Sequence, residues 1–215
     1  MTGHLNKAKL EEKLNTYSHG LGIIFALIGG FVLLFKGNES RNQSLGVLIY
    51  VLALVLLFSA STLYHAVSNP KVKQKLRILD HISIYYLIAG TYTPVCLTVL
   101  QNSKGAILLW LVWGIAFFGT ILKLFFTGKF EVFSLVLYGI MGWLVVIDLN
   151  FLIANTSLIG LFYLGLGGFF YTLGIVFYAS KKIPYNHFIW HLFVLGGAMS
   201  HWLFVYRECF LLNFK

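Results

Sequence analysis

The sequence predicts an all-α integral membrane protein, a bundle of seven transmembrane helices with its N-terminus in the cytoplasm and its C-terminus outside. Three observations carry that expectation. Only 11% of the 215 residues are charged while 59% are apolar, against roughly a quarter charged in a soluble domain. So few charges could not cover a globule with polar surface, and a chain that must satisfy its backbone in lipid does so with helices. Apolar runs of about the length that spans a bilayer recur seven times. Lys and Arg fall unevenly on alternate connections between those runs.

The elements follow in order. Residues 1–18 place Leu10, Leu14 and Tyr17 at helical spacing among charges, which predicts a short interfacial helix on the cytoplasmic face. Glu11 and Glu12 interrupt the basic residues there and no A-x-A-type site follows, so the first apolar run is expected to remain as a helix. The runs cover 19–36, 44–67, 78–100, 105–126, 131–153, 157–180 and 187–209. Short connections make 19–209 one membrane domain, followed by an outer tail at 210–215. The longest connection, "SNPKVKQKLR", holds Pro70 and four basic residues. The sixth run carries Gly160, Gly165, Gly167, Gly168 and Gly174, the residue type that lets helix backbones approach closely in a membrane.

Of the 16 Lys and Arg residues, 11 lie on the side that holds the N-terminus and the even-numbered connections. The positive-inside rule makes that side cytoplasmic, and an odd number of spans then puts the C-terminus outside. The net charge of +9 therefore reads as a topology signal in short loops rather than a nucleic-acid surface. Two cysteines, Cys96 and Cys209, make no disulfide framework; they fall near the same end of their helices, which leaves a bridge between them open.

Ionisable residues inside spans are costly and usually functional. His19 opens the first run, His65 closes the second, Asp80 and His81 open the third, and His187 and His191 open the seventh. All six lie at the cytoplasmic end. His187 and His191, in "HFIWH", are four apart on a helix and share a face. The spacing resembles the HExxH zinc-peptidase motif without its glutamate. His65 would supply a third nitrogen, and three histidines plus water form the ligand set of an open, catalytic-type zinc site. Ser61 stands one turn before His65. A tight connection holds Asp80 nearby, where its carboxylate could accept a hydrogen bond from a zinc-held water and serve as general base. Plainer readings stand beside these. Histidines at a membrane surface are often only amphipathic interface residues, and Asp80 could pair with a lysine of the basic connection. His81 points about 100° away from Asp80 and suits packing better than ligation. His201, ten residues beyond His191, is too deep for direct ligation and suits a structural hydrogen bond. Asp148 lies near the outer end, where pairing or solvation is the default.

In order along the chain, "EKLNTYSH" gives Glu12-x2-Asn15-x3-His19, "STLYH" gives Ser61-x3-His65, "LD" gives Asp80, and "HFIWH" gives His187-x3-His191. This ordered set over seven spans resembles the hemolysin III family of bacterial membrane proteins, which belongs with the progestin and adiponectin receptors and, more distantly, the alkaline ceramidases. The resemblance implies a bacterial plasma-membrane protein with one zinc ion per chain near the cytoplasmic face. It assigns His65, His187 and His191 as zinc ligands, Asp80 as the aspartate that holds the zinc-bound water, and Ser61 as a neighbouring serine. Glu12, Asn15 and His19 match an accessory motif outside the zinc shell, which would organise the N-terminal helix and the mouth of the site. Three functions follow. The first is a zinc-dependent hydrolase of amide or ester lipids, with membrane lipids as partners and a substrate entering between helices. The second is a cytolysin or pore, against which the spans, apolar all round, show no polar stripe. The third is a non-enzymatic, receptor-like sensor of membrane lipid state with structural zinc, which would need a closed four-ligand site.

Overall fold

The computed structural model describes residues 2–35 and 40–211. They form eight α-helices: α1 Thr2–Phe35, α2 Arg41–Ala66, α3 Pro70–Leu97, α4 Gly105–Phe126, α5 Glu131–Trp143, α6 Leu149–Ala154, α7 Leu158–Ala179 and α8 Asn186–Tyr206. A 3-10 segment, Leu144–Asp148, joins α5 to α6, and a π turn, Arg207–Leu211, follows α8. Lys36, read as the end of the first run, and residues 212–215 of the outer tail lie outside the described residues.

Six helical segments are long and apolar enough to cross a membrane: Asn6–Phe35, Arg41–Ala66, Gly105–Phe126, Glu131–Ala154, Leu158–Ala179 and Asn186–Phe210. α3 has the length, but Asp80, His81 and its tyrosines and threonines lower its hydropathy. The surface is that of a multi-pass membrane protein. Phe35, Trp110, Phe125, Val132 and Leu158 face outward, while His19, His65, Asp80 and His191 are buried. Burying ionisable groups under an apolar exterior is what a lipid solvent demands.

The helices start where the sequence supplies partners for their first N–H groups. Ser40 Oγ accepts from Gln43 N at 3.2 Å to cap α2. Asn69 Oδ1 accepts from Lys71 N and Val72 N, at 3.0 and 3.3 Å, and Pro70 occupies the first turn of α3. This cap changes one expectation. Most of "SNPKVKQKLR" is not a connection but the first two turns of α3, because the Asn-Pro pair starts the helix at once. α1 changes another. No break separates residues 1–18 from the first apolar run; both belong to one 34-residue helix.

The fifth apolar run is interrupted where the sequence reads as continuous. Tyr92 of α3 donates its hydroxyl to Gly142 O at 3.1 Å and accepts from Val145 N at 2.8 Å. A side chain inserted into the backbone ladder is a recognised cause of a helix break, and here the break falls between α5 and α6.

α2 packs between α1 and α3, α3 also packs on α4, α7 packs on α8, and α8 closes against α1. Close approach is built in. A Cβ on Gly90 of α3 would lie 2.5 Å from Ala53 Cβ of α2, so these two helices meet nearly backbone to backbone. On α7, Gly160, Gly167 and Gly174 recur every seven residues and are buried against Glu208, His201 and Trp190 of the last helical segment. α2, α3 and α8 are the helices that carry Ser61, His65, Asp80, His187 and His191.

Candidate metal centre

Ligand atoms of His65, His187 and His191 lie within 4.8 Å of one another. The imidazole centroids form a nearly equilateral triangle, with sides of 5.0, 4.9 and 4.9 Å. His65 sits in the last turn of α2, and the other two occupy the first two turns of α8. α8 is preceded by Tyr185, a non-glycine residue with a φ of 56° that supplies no side-chain cap. The missing partner comes from α1, where Glu11 Oε1 accepts from His187 N at 3.2 Å. At the other side of the same connection, Asn186 Nδ2 donates to Phe177 O and Tyr178 O, the last carbonyls of α7. The start of α8 is thus fixed by neighbouring helices.

His65 Nε2 is buried with no hydrogen-bond partner. A buried imidazole nitrogen left without a partner is costly, and its position beside two further histidines fits a metal ligand. The donor set of three imidazoles suits zinc and also iron, copper or nickel. The residues present therefore fit a bound metal ion.

The face of α1 that carries residues 11, 12, 15, 18 and 19 surrounds the triangle. Glu12 Oε2 lies 3.1 Å from His65 Nδ1 and accepts from Lys73 Nζ at 2.7 Å. Ser18 Oγ lies 3.3 Å from His191 Nδ1 and donates to Asn15 O at 3.0 Å. The His19 ring stacks on His191, with centroids 3.7 Å apart and planes 15° from parallel, and meets Phe58 edge-on. Glu12, Asn15 and His19 thus meet the histidines directly. The sequence assigns Glu11, Ser18 and Lys73 no part in the site. The signal for Glu11 and Ser18 is a spacing of 11/12, 15 and 18/19 on one face of α1, which the charges of the segment obscure; Lys73, on α3, has none.

Asp80 and Ser61 are both buried. Ser61 stands beside the Asp80 carboxylate, and among the described residues no lysine forms an ion pair with Asp80. Asp80 and Ser61 line one cavity together with His187 and His191. The cavity is also walled by Ile84, Ile88, Leu135, Ile175 and Val194, and Tyr92, Gly142 and His201 line it too. The lining is thus mostly aliphatic and aromatic around a few polar side chains.

His81 is buried and turned toward α5, with Nδ1 3.8 Å from Glu131 Oε2. Glu131 accepts from two of the basic residues that the sequence places on the cytoplasmic side, Lys123 Nζ at 3.0 Å and Arg77 Nη2 at 3.4 Å, and from Gly128 N at 3.1 Å. Asp148 and Glu208, remote from the histidines, each hold a helix start. Asp148 accepts from Ser103 Oγ and Lys104 N, both at 2.9 Å. Glu208 accepts from Ser157 N at 3.1 Å and Ser157 Oγ at 2.5 Å. Cys96 and Cys209 are buried thiols.

The sequence model of the family described as Haemolysin-III related matches residues 7–202. The chain is 40% identical over 201 residues to the hemolysin-3 homolog of Bacillus subtilis (strain 168), covering 93% of this chain and 94% of that protein. It is 40% identical over 190 residues to hemolysin-3 of Bacillus cereus, covering 87% of each. It is also 34% identical over 211 residues to the human monocyte to macrophage differentiation factor, covering 92% of this chain and 86% of that protein.

Proposed function

The chain belongs to the haemolysin III-related family, and from that premise we propose that it is a zinc-dependent hydrolase of amide or ester lipids in the bacterial plasma membrane. In this reading α3 is a seventh span, the N-terminus and the histidine end face the cytoplasm, and the C-terminus lies outside. Residues 19–209 are the membrane domain, 1–18 project from it on the cytoplasmic side, and 210–215 are the outer tail. α3 lies between α2 and α4, which supports the seventh span despite its lower hydropathy.

The observation that carries the proposal is the shared cavity. Two of the three clustered histidines, with Asp80 and Ser61, line a pocket whose other walls are mostly aliphatic and aromatic. His65, His187 and His191 would hold one zinc ion per chain. When bound, zinc supplies Lewis acidity toward a carbonyl and lowers the pKa of water. The aliphatic wall of Ile84, Ile88, Leu135 and Val194 binds the hydrocarbon of a membrane lipid and excludes bulk water. Ser61, beside Asp80, would donate its hydroxyl to the carboxylate and orient it. An Asp80 Oδ atom accepts the proton of the attacking water and delivers it to the departing nitrogen or oxygen, the role of a general base and then acid.

The test compares wild type, His191→Ala and Asp80→Ala by metal analysis of purified protein and by lipid profiling of cells. Hydrolase chemistry predicts that Asp80→Ala keeps most of its metal and loses lipid turnover, while His191→Ala loses both. Lipid turnover that survives Asp80→Ala removes the general-base role. Stoichiometric zinc in wild type with no difference in lipids among the three strains favours a non-enzymatic regulator. A cytolysin instead predicts leakage of dye-loaded vesicles by wild type and Asp80→Ala alike.

A further inference from the structure

We propose that the N-terminal half of α1 is the hydrogen-bonding frame of the metal centre, with Glu12 fixing the ring of His65 and Ser18 fixing the ring of His191 so that each presents Nε2 to the ion. The inference rests on the metal reading above and adds positioning residues to it.

The geometry determines which ring nitrogen carries the proton. Glu12 Oε2 stands 3.1 Å from His65 Nδ1. An ionised carboxylate only accepts, so the nitrogen facing it must be N–H. The neutral ring then has its lone pair on Nε2, the atom that is buried without a partner. Asn15 Nδ2 also lies 3.5 Å from the same Nδ1, and a donor there would oppose this tautomer. Asn15 Oδ1 is buried with no partner. Amide oxygen and nitrogen are assigned from the network around them, and exchanging the two puts an acceptor toward Nδ1–H, with Nδ2 then in the position now held by Oδ1. The second pair follows the same logic. Ser18 gives its one hydroxyl hydrogen to Asn15 O, so toward His191 Nδ1, at 3.3 Å, it offers a lone pair. His191 Nδ1 then carries the proton and its Nε2 is free to ligate.

A carboxylate or hydroxyl on the far nitrogen of a ligating histidine orients the ring, and for a carboxylate also raises its basicity. Loss of such a partner typically costs 10–100-fold in metal affinity. Glu12 has a competing structural explanation, its ion pair with Lys73 at 2.7 Å. Lys73 is therefore the informative control.

The experiment measures zinc dissociation constants of the detergent-purified full chain by chelator competition, alongside the melting temperature of the metal-free protein. Glu12→Ala is expected to bind zinc about 10–100-fold more weakly, Glu12→Gln about tenfold and Ser18→Ala less than tenfold. Lys73→Met should stay within about twofold of wild type, and the metal-free melting temperatures should stay close together. A direct reading avoids dependence on variants that fold poorly. In 15N-histidine spectra of metal-free wild type, His65 and His191 are expected as the Nδ1–H tautomer. An Nε2–H tautomer at His65, an unchanged affinity in Glu12→Ala, or an equal loss in Lys73→Met would each overturn the proposal. A wild-type chain that takes up no zinc would instead remove the metal reading on which it rests.

Discussion

The buried acids Asp148 and Glu208 and the buried imidazoles of the histidine cluster are accommodated in opposite ways. At one end of the bundle Asp148 and Glu208 each hold the start of a helix, α4 and α7 respectively, and their carboxylate oxygens have backbone and hydroxyl partners. At the other end His65 Nε2 and both nitrogens of His19 are buried without hydrogen bonds. Both ends bury costly groups under an apolar surface. A satisfied carboxylate explains itself as structure, whereas a buried, unsatisfied imidazole beside two others calls for something absent from the chain. The contrast shows that burial of an ionisable group does not by itself separate function from architecture; His201, whose two ring nitrogens are also buried without a partner, shows that hydrogen-bond accounting points to a site only where further ligand groups cluster beside it.

The sharpest break of this comparison is His65→Ala, which removes a ligand and leaves two. Zinc content measured by mass spectrometry should fall from about one ion per chain to near zero, with the fold retained by circular dichroism. A stoichiometric zinc in this variant would show that the triangle is not the site. Next in size is Asp80→Asn. It preserves shape and is expected to keep its zinc while lipid turnover falls by about 10²–10⁴, the usual scale of a lost general base. At the opposite end, Glu208→Ala strips the partner from Ser157 N and Ser157 Oγ. It should destabilise the chain by about 1–3 kcal/mol, seen as a lower melting temperature, with zinc affinity unchanged. Asp148→Ala should cost about 0.5–2 kcal/mol, the range for a lost helix cap, again without moving zinc affinity. If either change at the Asp148–Glu208 end weakened metal binding as much as Glu12→Ala, the two ends would be coupled and the contrast between them would fail.

Much of this division was legible in the sequence. The apolar runs report membrane helices because lipid imposes a length and a composition on each one separately. The placement of His65, Asp80, His187 and His191 at one level follows from counting runs, and the i, i+4 pair needs only helix periodicity. What was hidden depends on contacts between distant positions. Nothing near Gly142 announces that Tyr92, 50 residues earlier, will enter its helix and break it. Glu131 looks like an isolated surface acid until Arg77, Lys123 and Gly128 are brought around it. Ser18 has the least distinctive of side chains, and its relevance comes from which hydrogen it gives to Asn15 O. The start of α3 at Pro70 was readable from Asn69-Pro70, but the run of lysines made it resemble a loop.

The unbroken course of α1 has a mechanical consequence. At 1.5 Å per residue, its 34 residues make a rod about 50 Å long, while the hydrocarbon layer of a bilayer is about 30 Å thick. The surplus carries Glu12 beyond the apolar stretch while remaining rigidly joined to it. A helix answers a thinner or thicker bilayer by tilting rather than by stretching. A tilt of α1 relative to α2 and α8, on which it packs, would swing Glu12 and Ser18 together against His65 and His191.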